Sequence, residues 1–327
     1  MAVNIATARG SGSGSGRRHI WECNKTPTKL WYGLILVILA ISTRSTLKFY
    51  KYYQLFRQEV DSNFVKRQDL TWQWYHYNND TASNKTSNGK RTKLLVAQYT
   101  GPEATYVRYA NITQTANRAY AKKWGFDYLL LSGVAFHSAV PRPGDATYNK
   151  LALLKKAMNA KVSYDAVLMI DADAVIVDLD QDIWDLIPSW PLISAFRVDF
   201  ANDNLHTWNI NIGVTVWNLR HEKMKEVYDR WLLGCYRRMN VLKWDVPDDQ
   251  APLQDLIKKY PLKQRKTMVN AMNTTHFMYS GGTFVKHFIR DKQTWATNEN
   301  DSNRRETAME AAVRDVCTKW KNACDDL

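Results

Sequence analysis

The segment Tyr164–Asp180, YDAVLMIDADAVIVDLD, constrains this chain more than any other. An aliphatic run ends on two aspartates, Asp171 and Asp173, with one residue between them. Side chains alternate along a strand, so residues two apart point the same way. The spacing predicts a buried strand, with Val167 and Met169 on one face, Leu168 and Ile170 on the other, and both carboxylates delivered to one point. Like charges held about 5–7 Å apart repel unless a partner neutralises them. A divalent cation carrying a diphosphate is such a partner, and open α/β sheets bind ligands at the carboxyl ends of their strands.

Two other readings fit the same residues. The segment could be only a buried strand with a polar exit. Asp178 and Asp180 repeat the spacing in what reads as a solvated turn before a helix near Asp182–Ile187. Asp171-Ala172-Asp173-Ala174-Val175 also fits a phosphatase-type D-x-D-x-[T/V] pattern, in which Asp171 would accept a phosphoryl group beside Mg²⁺.

The chain has 327 residues, enough for one large domain with appendages. A net charge of +13 invites a nucleic-acid partner, but residues 1–92 hold 14 Lys/Arg against 5 Asp/Glu while the remainder is nearly balanced. The excess flanks an apolar run, and no nucleic-acid-binding motif accompanies it. Nucleic acid is therefore not the expected partner.

The apolar run is Leu30–Thr43, LWYGLILVILAIST. As a helix it spans about 21 Å, short of a hydrocarbon core of about 30 Å, but Lys29 and Arg44 can snorkel and Ser45–Leu47 can extend it. Cleavage near Ala40-Ile41-Ser42 is an alternative, although the preceding polar, basic segment is long for a signal peptide. The expected organisation is a cytosolic tail (1–29), a transmembrane signal anchor (30–47), a stem (48–92) and a lumenal domain (93–327) of a type II Golgi or ER membrane protein. Gly10–Gly16 is flexible low-complexity sequence. Tyr52, Phe56 and Val60 predict a short helix in the stem, and Asn78–Arg91 is too polar to build a core. Sequons at Asn79, Asn84, Asn111, Asn273 and Asn300 fit a lumenal domain.

From Lys93 onward, apolar strands and periodic helices alternate, predicting an α/β domain with a mostly parallel sheet and helices on both faces. Strands are expected near Lys93–Thr100, Phe126–Leu131, Leu192–Phe196, Ile210–Trp217 and Phe284–Ile289. Helices are expected over Tyr106–Trp124, Tyr148–Ala160, Arg220–Arg238, Ala251–Lys259 and Arg304–Ala323, the last with Met309, Ala312, Val316 and Trp320 on one face. On a continuous helix, Cys317 and Cys324 lie about 10 Å apart, too far to bridge. Cys235 could pair with one of them or remain a thiol.

Three further groups carry chemistry. In Asn209–Asn218, NINIGVTVWN, Asn211 and Gly213 share parity, and a mid-strand glycine marks either a bulge or close approach of a ligand. In Val246–Leu253, VPDDQAPL, either Asp248 caps a helix or Asp249 and Gln250 project into a pocket and meet sugar hydroxyls. In Phe284–Trp295, FVKHFIRDKQTW, His287 offers a neutral nitrogen ligand and Arg290 and Lys292 two cations for a diphosphate.

Taken in order, Tyr148-Asn149-Lys150-Leu151, Asp171-x-Asp173, Asn211-x-Gly213, Asp249-Gln250 and His287-Phe288 resemble the retaining GT-A glycosyltransferases over about Lys93–Trp295. The pattern is most like glycosyltransferase family 34, the galactosyl-, xylosyl- and mannosyltransferases, and is also similar to family 8. Arg290 and Gln293 stand where family 8 patterns have glycine and lysine. The resemblance implies a GT-A, Rossmann-like fold with Mn²⁺ or Mg²⁺ on Asp171, Asp173 and His287. It implies a UDP-sugar or GDP-mannose donor, with Asp249 and Gln250 positioning the sugar. Tyr99, Thr100 and Tyr106 become candidates for base and ribose, and Lys150, Asn211, Gly213, Arg290 and Lys292 further donor contacts. A glycan or glycoprotein acceptor and retention of configuration are implied in the same way; Trp190, Trp208 and Trp217 are either stacking surfaces for that acceptor or core residues. A non-catalytic subunit of a glycosyltransferase complex would keep the fold without turnover.

Overall fold

The aliphatic runs become the middle of a seven-stranded sheet. The computed structural model describes residues 70–77, 92–136, 145–187, 190–197, 208–240, 248–272, 281–289 and 298–325, with a few between 40 and 54. The sheet holds β1 (Thr71–Tyr75), β2 (Leu94–Thr100), β3 (Asp127–Ser132), β4 (Ala166–Ile170), β6 (Ile193–Arg197), β7 (Ile210–Asn218) and β8 (Val269–Met272) in the order β1-β3-β2-β4-β7-β6-β8. Its pairings set β2, β3, β4, β6 and β8 in one direction and β1 and β7 against them. The result is an α/β fold whose sheet is mostly, but not wholly, parallel. Every residue of β2 and β4 is buried, as a sheet covered on both faces requires.

α1 (Ala104–Trp124) follows Gly101-Pro102 and buries Tyr109, Thr113, Ala116, Asn117 and Tyr120, the spacing of one helical face. It stops at Gly125, whose φ of 67° is left-handed, with Lys122 and Lys123 at the negative end of the helix dipole. α2 (Asn149–Met158), α3 (Met224–Asn240), α4 (Gln250–Lys258) and α5 (Leu262–Met268) follow in turn. α6 (Asn298–Lys319) buries Met309, Ala312 and Val316 in the same core as α1, β2 and β4, with Trp320 packed against it.

Several expectations change. The Asp171 segment is not one strand. β4 ends at Ile170, residues 171–173 turn with Ala174 N donating to Asp171 O (3.2 Å), and β5 (Ala174–Ile176) leaves the large sheet to pair with β9 (Val285–His287). A turn, not strand alternation, brings the two aspartates together. β1 lies inside the segment read as stem, and its Trp72 and Trp74 take the inner positions of an edge strand.

Cys317 and Cys324 form a disulfide with Cα atoms 5.6 Å apart, because α6 stops at Lys319 and Trp320 leaves helical geometry before α7 (Lys321–Cys324). Cys235 is a buried free thiol. The single-pass membrane anchor, and with it the Golgi or ER placement, is not supported. Among the described residues no helix is long and apolar enough to cross a membrane. Residues 1–52 form a unit of their own, and the described residues between 40 and 51 are helical and exposed. Leu30–Leu39, Tyr52, Phe56, Val60 and Asn78–Arg91 lie outside the described residues.

Candidate metal centre

Three elements converge where β4 ends. The β5–β9 ribbon sets Ala174 opposite His287, and Phe288 N donates to Asp173 O (2.9 Å), which fixes the imidazole beside the turn. His287 Nε2 lies 3.2 Å from Asp173 Oδ1 and 3.7 Å from Asp171 Oδ2. One ligand atom from each of Asp171, Asp173 and His287 falls within 4.8 Å of the others. Both members of the Asp173–His287 pair are buried, while the Asp171 side chain is 22% exposed, so the cluster opens to solvent through Asp171.

β7 supplies the floor. Gly213 O accepts from Asp171 N at 2.8 Å. A Cβ on Gly213 would stand 2.1 Å from His287 Cε1 and 2.7 Å from Asp171 Oδ2, so only glycine lets the cluster sit this close to the strand. Asn211 Oδ1 accepts from Gly213 N (2.9 Å) and shapes the same stretch.

Buried cations balance the carboxylates. Lys150, at the start of α2, is 3.1 Å from Asp171 Oδ1, 3.1 Å from Asp249 Oδ2, and donates to Tyr99 Oη (2.8 Å). Tyr99 in turn donates to Asp171 Oδ1 at 2.8 Å. Arg305 of α6 pairs with Asp173 Oδ2 through Nη2 and donates from Nε to Phe288 O (2.7 Å). Burial pushes the Lys150 ammonium down, but Asp171 and Asp249 outweigh it and hold the group charged, above its ordinary range. Burial likewise opposes ionisation of Asp173, yet His287 and Arg305 prevail and lower its pKa. His287 is raised, because Asp173 and Asp171 outweigh the burial that would neutralise it.

Asp248 caps α4, accepting from Gln250 N and Ala251 N at 3.0 Å each, which releases Asp249 from that duty. Asp249 is pushed up to about 6, first by burial and then by Asp171, against the pull of Lys150. Its Oδ2 is buried against the Lys150 ammonium at 3.1 Å, and a carboxylate oxygen facing one cation keeps capacity for a second donor. Gln250 Oε1 accepts from Ile212 N (3.2 Å), tying α4 to β7 next to Gly213.

The structure thus gathers Asp171, Asp173, His287, Gly213, Asn211, Lys150, Asp249, Gln250 and Tyr99. Tyr99 is buried and committed to Asp171 rather than presented to a base. Thr100 is also buried, its hydroxyl turned to Gly101 O (3.1 Å). Tyr106 packs edge-on against Tyr109. Trp217 stacks on Trp231 in the core and is not a surface for an acceptor. Trp190 is exposed and stacks on Trp184, and Lys258 lies 4.8 Å over the Trp208 ring. Arg290, Lys292 and Trp295 lie outside the described residues.

Sequence reading missed the supports. Gln98 Nε2 donates to Asp171 O (3.2 Å), Thr113 Oγ1 to Ala172 O (2.9 Å) and Asn117 Nδ2 to Ala174 O (3.0 Å), so three buried polar side chains hold the carbonyls of the turn. A glutamine inside an apolar strand, and Thr113 and Asn117 on the buried stripe of α1, were the available signals. Arg305, 132 positions from Asp173, gave none.

An oxygen-rich set with one imidazole, on a floor cleared by a glycine, fits a divalent metal. No family model matches the chain. No curated protein matches it either. Among solved structures it is similar to a glycosyltransferase involved in glycosylating the major capsid of PBCV-1 (14% identity, TM-score 0.46, 67% of this chain and 99% of that one). It is also similar to the glycosyltransferase GlyE of Streptococcus pneumoniae (14%, 0.43, 70% and 64%) and to the galactosyltransferase LgtC (15%, 0.36, 70% and 99%).

Proposed function

We propose that this chain is a metal-dependent glycosyltransferase that moves a hexose or pentose from a nucleotide sugar to a glycan acceptor, with retention of configuration. The observation that carries the reading is the convergence of Asp171, Asp173 and His287 above Gly213. These residues would hold Mn²⁺ or Mg²⁺, which when bound offsets the negative charge that develops on a leaving diphosphate. Lys150 and Tyr99 orient Asp171 from behind. Asp249, its Oδ2 facing Lys150, has carboxylate lone pairs left to accept from a hydroxyl of the donor sugar. Gln250 has its oxygen on β7, which leaves its amide nitrogen to donate to the same sugar. Arg290 and Lys292 would pair with the diphosphate. Retention rests on the family resemblance.

The phosphatase-type reading asks Asp171 to be a phosphoryl-accepting nucleophile beside Mg²⁺. Asp171 Oδ1 already accepts from Tyr99 and faces Lys150, and Asp173 is closed by Arg305, so the geometry favours ligands over reactants.

A screen of UDP-sugars and GDP-mannose with Mn²⁺ or with EDTA tests the proposal. It expects metal-dependent hydrolysis or transfer from one donor, and NMR of the first-formed anomer reports retention. Hydrolysis of simple phosphate esters, with beryllium fluoride trapped on Asp171 and no affinity for any nucleotide sugar, would contradict it. A folded protein inert toward every donor and acceptor would favour the non-catalytic subunit.

A further inference from the structure

Arg305 belongs to a helix outside the whole stretch that carries the proposed metal ligands, yet its side chain bridges the segments that carry two of them. Its side chain is 9% exposed. Nη2 pairs with Asp173 Oδ2, and Nε donates to the carbonyl of Phe288, the residue after His287. Phe288 N returns a bond to Asp173 O (2.9 Å). One guanidinium therefore ties the turn that carries Asp173 to the strand end that carries His287.

The guanidinium is itself fixed. Its centre lies 4.9 Å over the ring of buried Tyr109, whose hydroxyl meets Ser302 O (3.1 Å) and Ser302 Oγ (2.9 Å) nearly one turn earlier on α6. Arg108 pairs with Glu306 beside it (3.1 Å). A planar fork with both arms committed holds a carboxylate in one rotation, which a flexible ammonium does not. With Oδ2 occupied, Asp173 has Oδ1 left, and that is the oxygen next to His287 Nε2.

We infer that Arg305 is a positioning residue of the metal centre: from α6 it sets the rotation of Asp173 and the registry of His287, so that both present their ligand atoms together. This rests on the metal reading above. A positive charge near a cation site opposes metal binding, so the substitution must keep the charge and remove only the fork. Arg305→Lys does so.

Mn²⁺ alone, titrated into full-length protein and followed by the EPR signal of the free ion, reads the effect without any turnover. Outer residues that orient metal ligands typically change affinity about 10–100-fold, and Arg305→Lys should weaken Mn²⁺ by at least about tenfold. Its far-ultraviolet circular dichroism should remain that of the parent. Equal Mn²⁺ affinity in parent and folded Arg305→Lys overturns the inference while leaving the metal site standing. Absence of Mn²⁺ binding in the parent overturns both. If Arg305→Lys does not fold, Tyr109→Phe decides: it keeps the ring under the guanidinium but frees Ser302 and loosens α6. A two- to threefold loss of Mn²⁺ affinity, about the size of one weak hydrogen bond, supports the inference, and no change overturns it.

Discussion

The two ends of the β4–β7 pair carry similar ion pairs in opposite settings. At the far end, Arg220 Nε meets Asp165 Oδ1 at 3.0 Å with the arginine 58% exposed, beside Lys93 N, which donates to the same aspartate at 2.9 Å. At the near end, Lys150 and Arg305 meet Asp171 and Asp173 with the cations 4% and 9% exposed. An exposed pair gains little, and a buried pair costs desolvation that close geometry must offset. A fold that needed only stability would not concentrate buried charge at one strand end. That concentration sets the candidate site apart, and burial rather than the presence of ion pairs is what separates the two ends.

The comparison is broken most sharply through Asp171. Asp171→Asn removes a charge from the near end while Lys150 keeps Asp249, so the fold should hold and metal-dependent turnover should fall about 10²–10³-fold. Steady-state rates on a folded variant check this. Asp173→Ala should cost more than activity. It strands Arg305, and leaving one buried partner uncompensated destabilises by about 3–5 kcal/mol in urea unfolding. Gly213→Ala forces a methyl against His287 and Asp171, and should lower stability by about 1–3 kcal/mol and abolish Mn²⁺ binding. Arg220→Ala, at the far end, should change stability by no more than about 1 kcal/mol and leave activity intact. A far-end loss as large as that of Asp173→Ala would erase the contrast.

What could be read from the chain followed the size of the local contrast. β2, β4 and β7 are legible because apolar runs stop abruptly at polar residues, and α1 and α6 because their buried residues recur at helical spacing. Asp171, Asp173 and His287 were singled out by type and order and do come together, but the reason they meet was misread. Ala174-Val175-Ile176 continues the apolar pattern of β4, so nothing in the sequence marks the turn that sends β5 to β9. β1 was hidden because Trp72 and Trp74 alternate inside a basic, aromatic stretch that also has helical spacing. The disulfide was missed for a related reason, since no glycine or proline announces the break at Trp320. Lys150 acts across 21 positions from Asp171 and was legible only through the resemblance. Arg305 obeys no local pattern at all, since its partners are chosen by how α6 packs on α1.

The central claim is that Asp171, Asp173 and His287 together hold a divalent metal. Electron spin-echo modulation of Mn²⁺ bound to the full-length protein tests it most directly, because a coordinated imidazole imprints nitrogen coupling on the metal and carboxylates do not. The account predicts nitrogen modulation in the parent and its loss, with weaker Mn²⁺ binding, in His287→Ala. Tightly bound Mn²⁺ without nitrogen coupling, or with coupling that survives in His287→Ala, would contradict it.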